Sequence, residues 1–99
     1  MKNGYSLLWT ENAKSELSEI INYIATEWNE VAVRKFAKKL ETALESMLAM
    51  PTAFPESSTK KNIRRKVISK QTSIYYKILN SEIVVLSIFD NRRDNANYK

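Results

Sequence analysis

The apolar positions of this chain switch from strand spacing to helical spacing and back. Within Tyr5–Thr10, the residues Tyr5, Leu7 and Trp9 alternate, which predicts a short first strand. From Ala13 the apolar residues fall at Ala13, Leu17, Ile20, Ile21, Ile24 and Trp28, the spacing of one helix face over about four turns. Thr10 or Asn12 can cap that helix, with Glu11 near its positive end. Asn29 breaks the pattern and can cap a second helix, with Glu30 behind it. That helix shows Val33, Phe36, Ala37, Leu40, Ala43, Leu44, Met47 and Leu48 on one face, and Lys35, Lys38, Lys39, Glu41 and Glu45 on the other. Pro51 lies just past its end. So short a link predicts an antiparallel helical hairpin. Trp28, Phe36 and the methionines read as core packing.

Pro51-Thr52-Ala53-Phe54-Pro55 and Ser57-Ser58-Thr59 form a loop, and Phe54 between two prolines is expected to anchor it to the helices. Three strands follow, over Ile63–Ile68, Ser73–Leu79 and Ile83–Asp90, with Asn80-Ser81 turning tightly between the last two. Ile83–Phe89 is apolar on both faces apart from Ser87, which predicts a central strand covered on both sides. The expected fold is α+β: an N-terminal strand, an antiparallel helical hairpin on one face of a mostly antiparallel sheet, then a three-stranded antiparallel meander. It is expected as one domain over residues 1–99.

Composition narrows the chemistry. The chain has no His and no Cys, so no disulfide framework and no thiol chemistry are expected, and the side chain best suited to proton transfer near neutral pH is missing, which would leave that task to a Lys of lowered pKa or a Tyr. The remaining ligands are hard oxygens, which argues against zinc. Asp90 and Asp94 are too sparsely patterned for a two-metal nuclease, and Gly4, the only glycine, leaves no Gly-rich phosphate loop. No metal or cofactor is expected. Without a signal-like segment or an apolar run of about 20 residues, the chain reads as cytoplasmic, with no membrane partner.

Charge adds a direction. Residues 1–50 carry six Lys/Arg against seven Asp/Glu, whereas residues 51–99 carry ten against four. The excess sits in Lys60–Lys70 and in Arg92-Arg93, both beside predicted strands. A cation cluster on a sheet suits a polyanion. The same charges could also serve as a solubilising face with edge lysines that block aggregation. Taking Ile63 and Val67 as the helix-covered pair puts Arg64 and Lys66 on the open side of the sheet and Arg65 at a core margin. Arg64, Lys66, Lys70, Arg92 and Arg93, with Tyr75 or Tyr98, would then line one surface suited to phosphates and bases.

Several stretches together resemble the RelE/ParE superfamily of toxins from type II toxin–antitoxin modules. They are Leu8-Trp9-Thr10 with Ala13 and Leu17, then Ile21, Tyr23-Ile24 and Trp28. Next come Pro51, Phe54-Pro55, Ile63-Arg64-Arg65 and Val67. Ile74-Tyr75-Tyr76-Lys77-Ile78 and the run from Ile83 to Arg93 complete the set. The resemblance implies the same β-α-α-β-β-β fold and a cognate antitoxin, expected to be small and acidic. It also implies one of two targets. RelE-like members cut messenger RNA on the ribosome; Arg64, Lys66, Arg93 and Tyr98 are similar to the catalytic positions of that group, but Ser73 stands where the group carries an Arg. ParE-like members inhibit DNA gyrase. The Pro51/Phe54-Pro55 loop, Tyr75-Tyr76-Lys77 and Phe89–Arg93 are closer to ParE-like and plasmid-stabilisation sequences, so gyrase inhibition is the favoured expectation, with target contacts from Arg64, Lys66, Lys70, Arg92 and Arg93. The endoribonuclease stays open, as does an inactive homologue that only binds an antitoxin.

Overall fold

The computed structural model describes residues 4–91. The order is β1 (Ser6–Trp9), α1 (Glu11–Glu27), α2 (Glu30–Ala49), β2 (Arg64–Val67), β3 (Thr72–Leu79) and β4 (Glu82–Asp90). The four strands form one mixed sheet in the order β1-β4-β3-β2. β2, β3 and β4 make the antiparallel meander, while β1 runs parallel to β4. β4 is thus interior to the sheet, as its apolar run predicts, but the helices cover only one of its faces: Ile83, Val85 and Ile88 enter the core, while Phe89 on the other face is 37% exposed. The loop between β3 and β4 is Asn80-Ser81, and Asn80 takes a left-handed φ of 57°, which Asn tolerates better than most residues.

Both helix starts are fixed locally. The Thr10 side chain accepts from the Ala13 amide and the Asn29 side chain from the Ala32 amide, so each satisfies a donor that the first helical turn leaves free. Thr10 is therefore the cap of α1, and Asn12 has another task. β1 stops pairing with β4 at Val85, and β4 carries an extra residue, Leu86, between the partners of Tyr76 and Tyr75. Side chains from the start of α1 serve the exposed edge of β4 beyond that point. Thr10 Oγ1 donates to the Val85 carbonyl, and Asn12 Nδ2 donates to the Leu86 carbonyl at 3.0 Å. Glu16 Oε1 accepts from the Ile88 amide at 3.0 Å and from the Ser87 hydroxyl at 2.8 Å.

The core lies between the helices and one face of the sheet. It contains Ala13, Ile20, Ile24, Phe36 and Met47 from the helices, with Ile74, Tyr76, Ile83, Val85 and Ile88 from the sheet. Phe54 packs against this cluster, as expected of a loop anchor. Trp28 does not join it. As the C-cap of α1 it stands at the hairpin tip and is 59% exposed, and Met50 is exposed to the same degree. Helical spacing alone placed Trp28 in the core, but the helix has already ended there, so its side chain clears the packed stripe. Among the described residues, no helix is long and apolar enough to cross a membrane.

Candidate functional site

The phase of β2 is the opposite of the expected one. Arg64 pairs with Tyr76 and Lys66 with Ile74, and both of those partners face the core. Directly paired residues share a sheet face, so Arg64 and Lys66 lie on the helix side. Arg65 pairs with Tyr75 and Val67 with Ser73, on the open side. The apolar pair Ile63/Val67 was a misleading guide because β2 sits at the sheet edge, where the helices cover little of it. There the aliphatic stems of Arg64 and Lys66 fill the margin instead, and Val67 is left 50% exposed.

Arg64 and Lys66 are occupied with the loop. Arg64 Nη1 donates to the Phe54 carbonyl at 2.6 Å and to the Thr52 carbonyl at 3.2 Å. The Lys66 ammonium lies 4.6 Å from the centroid of the Phe54 ring, within cation–π range. The Tyr76 hydroxyl donates to the Pro51 carbonyl at 2.7 Å. Burial pushes the Tyr76 pKa above its ordinary value, and the Arg64 charge partly opposes this. Three side chains of the helix-side face thus clamp residues 51–54.

The open face is built in rows across the sheet. Val67, Ser73 and Phe89 form one row; Arg65, Tyr75 and Ser87 the next; Lys77, Val84 and Leu8 a third. Arg65 Nε donates to Ser73 Oγ at 3.2 Å, so a guanidinium from β2 stands beside the very serine that replaces an expected Arg. Leu8, Val67, Leu79 and Phe89 are between 37% and 50% exposed. At the margin of this face, Lys60, Ile63, Tyr75, Leu86 and Ser87 line a cleft of about 320 Å³ with Ser57 and Thr59. A fourth row, Leu79, Glu82 and Ser6, adds an exposed carboxylate, so the face is amphipathic: Arg65, Lys77, Glu82 and the Tyr75 phenol set among exposed aliphatic and aromatic groups.

Of the residues proposed from sequence, Tyr75 lies on this face, and Arg64 and Lys66 lie behind it. Lys70 is exposed in the β2–β3 turn. Arg92, Arg93 and Tyr98 lie outside the described residues. Arg65 was the residue missed. Its signal was present in the buried pattern of β3, whose pairing with β2 sets the phase. Among the described residues, no cluster of three or more His, Cys, Asp or Glu could hold a metal ion.

The model of a family described as the ParE toxin of type II toxin–antitoxin system, parDE, matches residues 7–95. Among solved structures, the chromosomal ParDE toxin–antitoxin system from P. aeruginosa is similar, with a TM-score of 0.75 and 17% identity over 88% of this chain and 96% of that chain. The E. coli DinJ-YafQ toxin–antitoxin complex is similar at a TM-score of 0.62 and 7% identity, over 91% of this chain and 96% of that chain. YafQ from E. coli gives 0.55 and 13%, over 90% and 96%. At these identities the structural likeness concerns the fold. No curated protein sequence matches the chain. The match over residues 7–95, on the strand–hairpin–meander fold described above, shows that the chain belongs to the ParE toxin family of type II toxin–antitoxin systems.

Proposed function

We propose that the chain is a growth-arresting toxin that inhibits DNA gyrase through the open face of its sheet, acting in the cytoplasm as a single domain. The observation that carries this reading is the composition of that face. Exposed Leu8, Val67, Leu79 and Phe89 surround Arg65, Tyr75 and Lys77. Aromatic and Arg anchors with an apolar surround are what protein–protein interfaces concentrate at their centres. A face built only to hold phosphates would have no use for half-exposed leucines. Arg64 and Lys66, which the cleavage reading needs on this face, are bound to the loop behind it. Arg92 and Arg93 follow β4 and Asn91 in sequence and are proposed to extend the contact.

The partner that restrains the toxin is proposed to be a small acidic antitoxin, in keeping with the toxin–antitoxin complexes among its structural neighbours. The hairpin offers an apolar groove of about 180 Å³ lined by Ile21, Val33, Phe36, Leu40 and Leu44, which suits an amphipathic helix.

A supercoiling assay with purified chain and gyrase tests the reading. Inhibition that is lost in Arg65→Ala is the expected result. Full supercoiling activity alongside cleavage of translated messages would replace gyrase with the ribosome, and no effect in either assay would leave an antitoxin-binding subunit.

A further inference from the structure

The loss of Lys66 from the open face creates a second cationic feature, which the division of charge along the sequence conceals. Two hollows run along the seam between α2 and β2. One, of about 520 Å³, is lined by Trp28, Val31, Lys35, Lys39, Ile68 and Gln71 among others. The next, of about 230 Å³, is lined by Lys38, Lys39, Thr42, Ser46, Lys66 and Ile68 among others. Lys39 and Ile68 belong to both, so the groove is continuous.

The seam joins cations from both halves of the sequence. Lys35 and Lys39 are four residues apart on α2, so they stack on one face about 6 Å apart along the axis. Lys66 lines the smaller hollow together with Lys38 and Lys39, its ammonium held over the Phe54 ring. Among the described residues, no acidic side chain lines either hollow. Glu30 is engaged with Arg34 at 3.8 Å, and Glu41 lines the hairpin groove instead. Lys35, Lys38, Lys39 and Lys66 have no carboxylate partner among the described residues. At one end stands Trp28, 59% exposed, with Val31 51% exposed beside it.

We propose that this seam binds a single strand of nucleic acid, its phosphates along Lys35, Lys39 and Lys66 and a base stacked on the Trp28 indole. Cations that track a backbone, ending in an exposed ring, are the features that sequence-tolerant single-strand binding uses. An extended acidic peptide fits less well. The first half of the β2 outer edge is already paired, with the Arg65 amide donating to the Pro55 carbonyl and the Ser57 amide to the Ile63 carbonyl, which leaves an added strand only the short stretch around Val67. The site lies behind the open face and is independent of the gyrase reading.

Fluorescence anisotropy tests the proposal with labelled single-stranded DNA and RNA of about twelve nucleotides, the matching DNA duplex, and a polyglutamate peptide. The single strands are expected to bind most tightly, and the better of the two identifies the natural strand. Lys35→Ala with Lys39→Ala should weaken binding at least tenfold and reduce the salt slope by about 1.4, the loss of two single-strand phosphate contacts. Lys35→Arg with Lys39→Arg should restore it. Trp28→Ala should weaken it roughly five- to hundredfold. Lys61→Ala, an exposed cation outside the seam, should leave it unchanged. Tighter binding of duplex or polyglutamate, unaltered strand binding in the Lys35/Lys39 variant, or equal loss in Lys61→Ala would overturn the proposal.

Discussion

Arg64 and Phe54 are joined across ten positions of sequence: Arg64 Nη1 donates to the Phe54 carbonyl oxygen at 2.6 Å. The same nitrogen reaches the Thr52 carbonyl, so one guanidinium satisfies two loop acceptors. Arg64→Ala is expected to destabilise the fold by about 1–3 kcal/mol, since bonds from a charged donor are worth more than neutral ones. Urea unfolding should show a lower midpoint with an unchanged slope. A stability unchanged within about 0.5 kcal/mol would release Arg64 for a role in target binding.

Tyr76 closes the same loop from the core. Tyr76→Phe leaves the Pro51 carbonyl without its donor and should cost about 1–3 kcal/mol at neutral pH. The pH dependence has a defined sign. Because burial raises the folded pKa above 10.0, the contribution of this hydroxyl is fully present below about pH 10 and is lost as pH rises through the folded value. The stability gap between the native chain and Tyr76→Phe should therefore narrow in alkaline solution. A gap that widens above pH 10 would show that the tyrosinate is accommodated.

Glu16 serves the edge of β4 where β1 no longer pairs. Glu16→Ala removes the acceptor of the Ile88 amide and the Ser87 hydroxyl and should cost about 1–3 kcal/mol. Glu16→Gln keeps a carbonyl acceptor and should cost less. Hydrogen exchange at the Ile88 amide should accelerate in Glu16→Ala; unchanged protection would mean that another group covers this edge.

Trp28 separates exposure from apolarity. Truncating a buried Trp costs about 3–5 kcal/mol, but Trp28→Ala should cost less than about 1 kcal/mol, as expected of a surface substitution. Calorimetry decides: a loss of several kcal/mol would place the indole in the core after all.

Arg65→Ala should leave the melting temperature nearly unchanged, because among the described residues its side chain bonds to Ser73 on the open face. Toxicity on expression without an antitoxin should nevertheless fall. Retained toxicity at equal protein levels would move the target contact elsewhere on the molecule.

Much of the architecture was legible because its signals are local. Thr10 and Asn29 cap the helices that follow them through bonds spanning three residues. Asn80-Ser81 marks the hairpin, and the two-sided apolar run of β4 announced a central strand. The parallel pairing of β1 with β4 was not legible, because strand direction depends on where the helical hairpin delivers the chain. The site was read less well than the fold. Alternation divided Arg64, Arg65 and Lys66 correctly into two faces, but the choice of face rested on Ile63 and Val67, and at a sheet edge long cationic stems can cover the margin as well as aliphatic side chains do.

Residue order alone carried the sequence of elements, the Asn29 cap and the family resemblance, because those depend on periodicity, on contacts within a few positions and on motifs in fixed order, whereas the choice of Thr10 over Asn12 waited on where β4 lies. The face that each β2 cation occupies was settled by strand pairing across the sheet. Pairing with β3, whose Ile74 and Tyr76 must be buried, turns Arg64 and Lys66 toward the helices and Arg65 outward. The same pairing brings Lys66 into one hollow with Lys38 and Lys39 of the other half of the chain, in a seam that the charge difference between the two halves does not reveal.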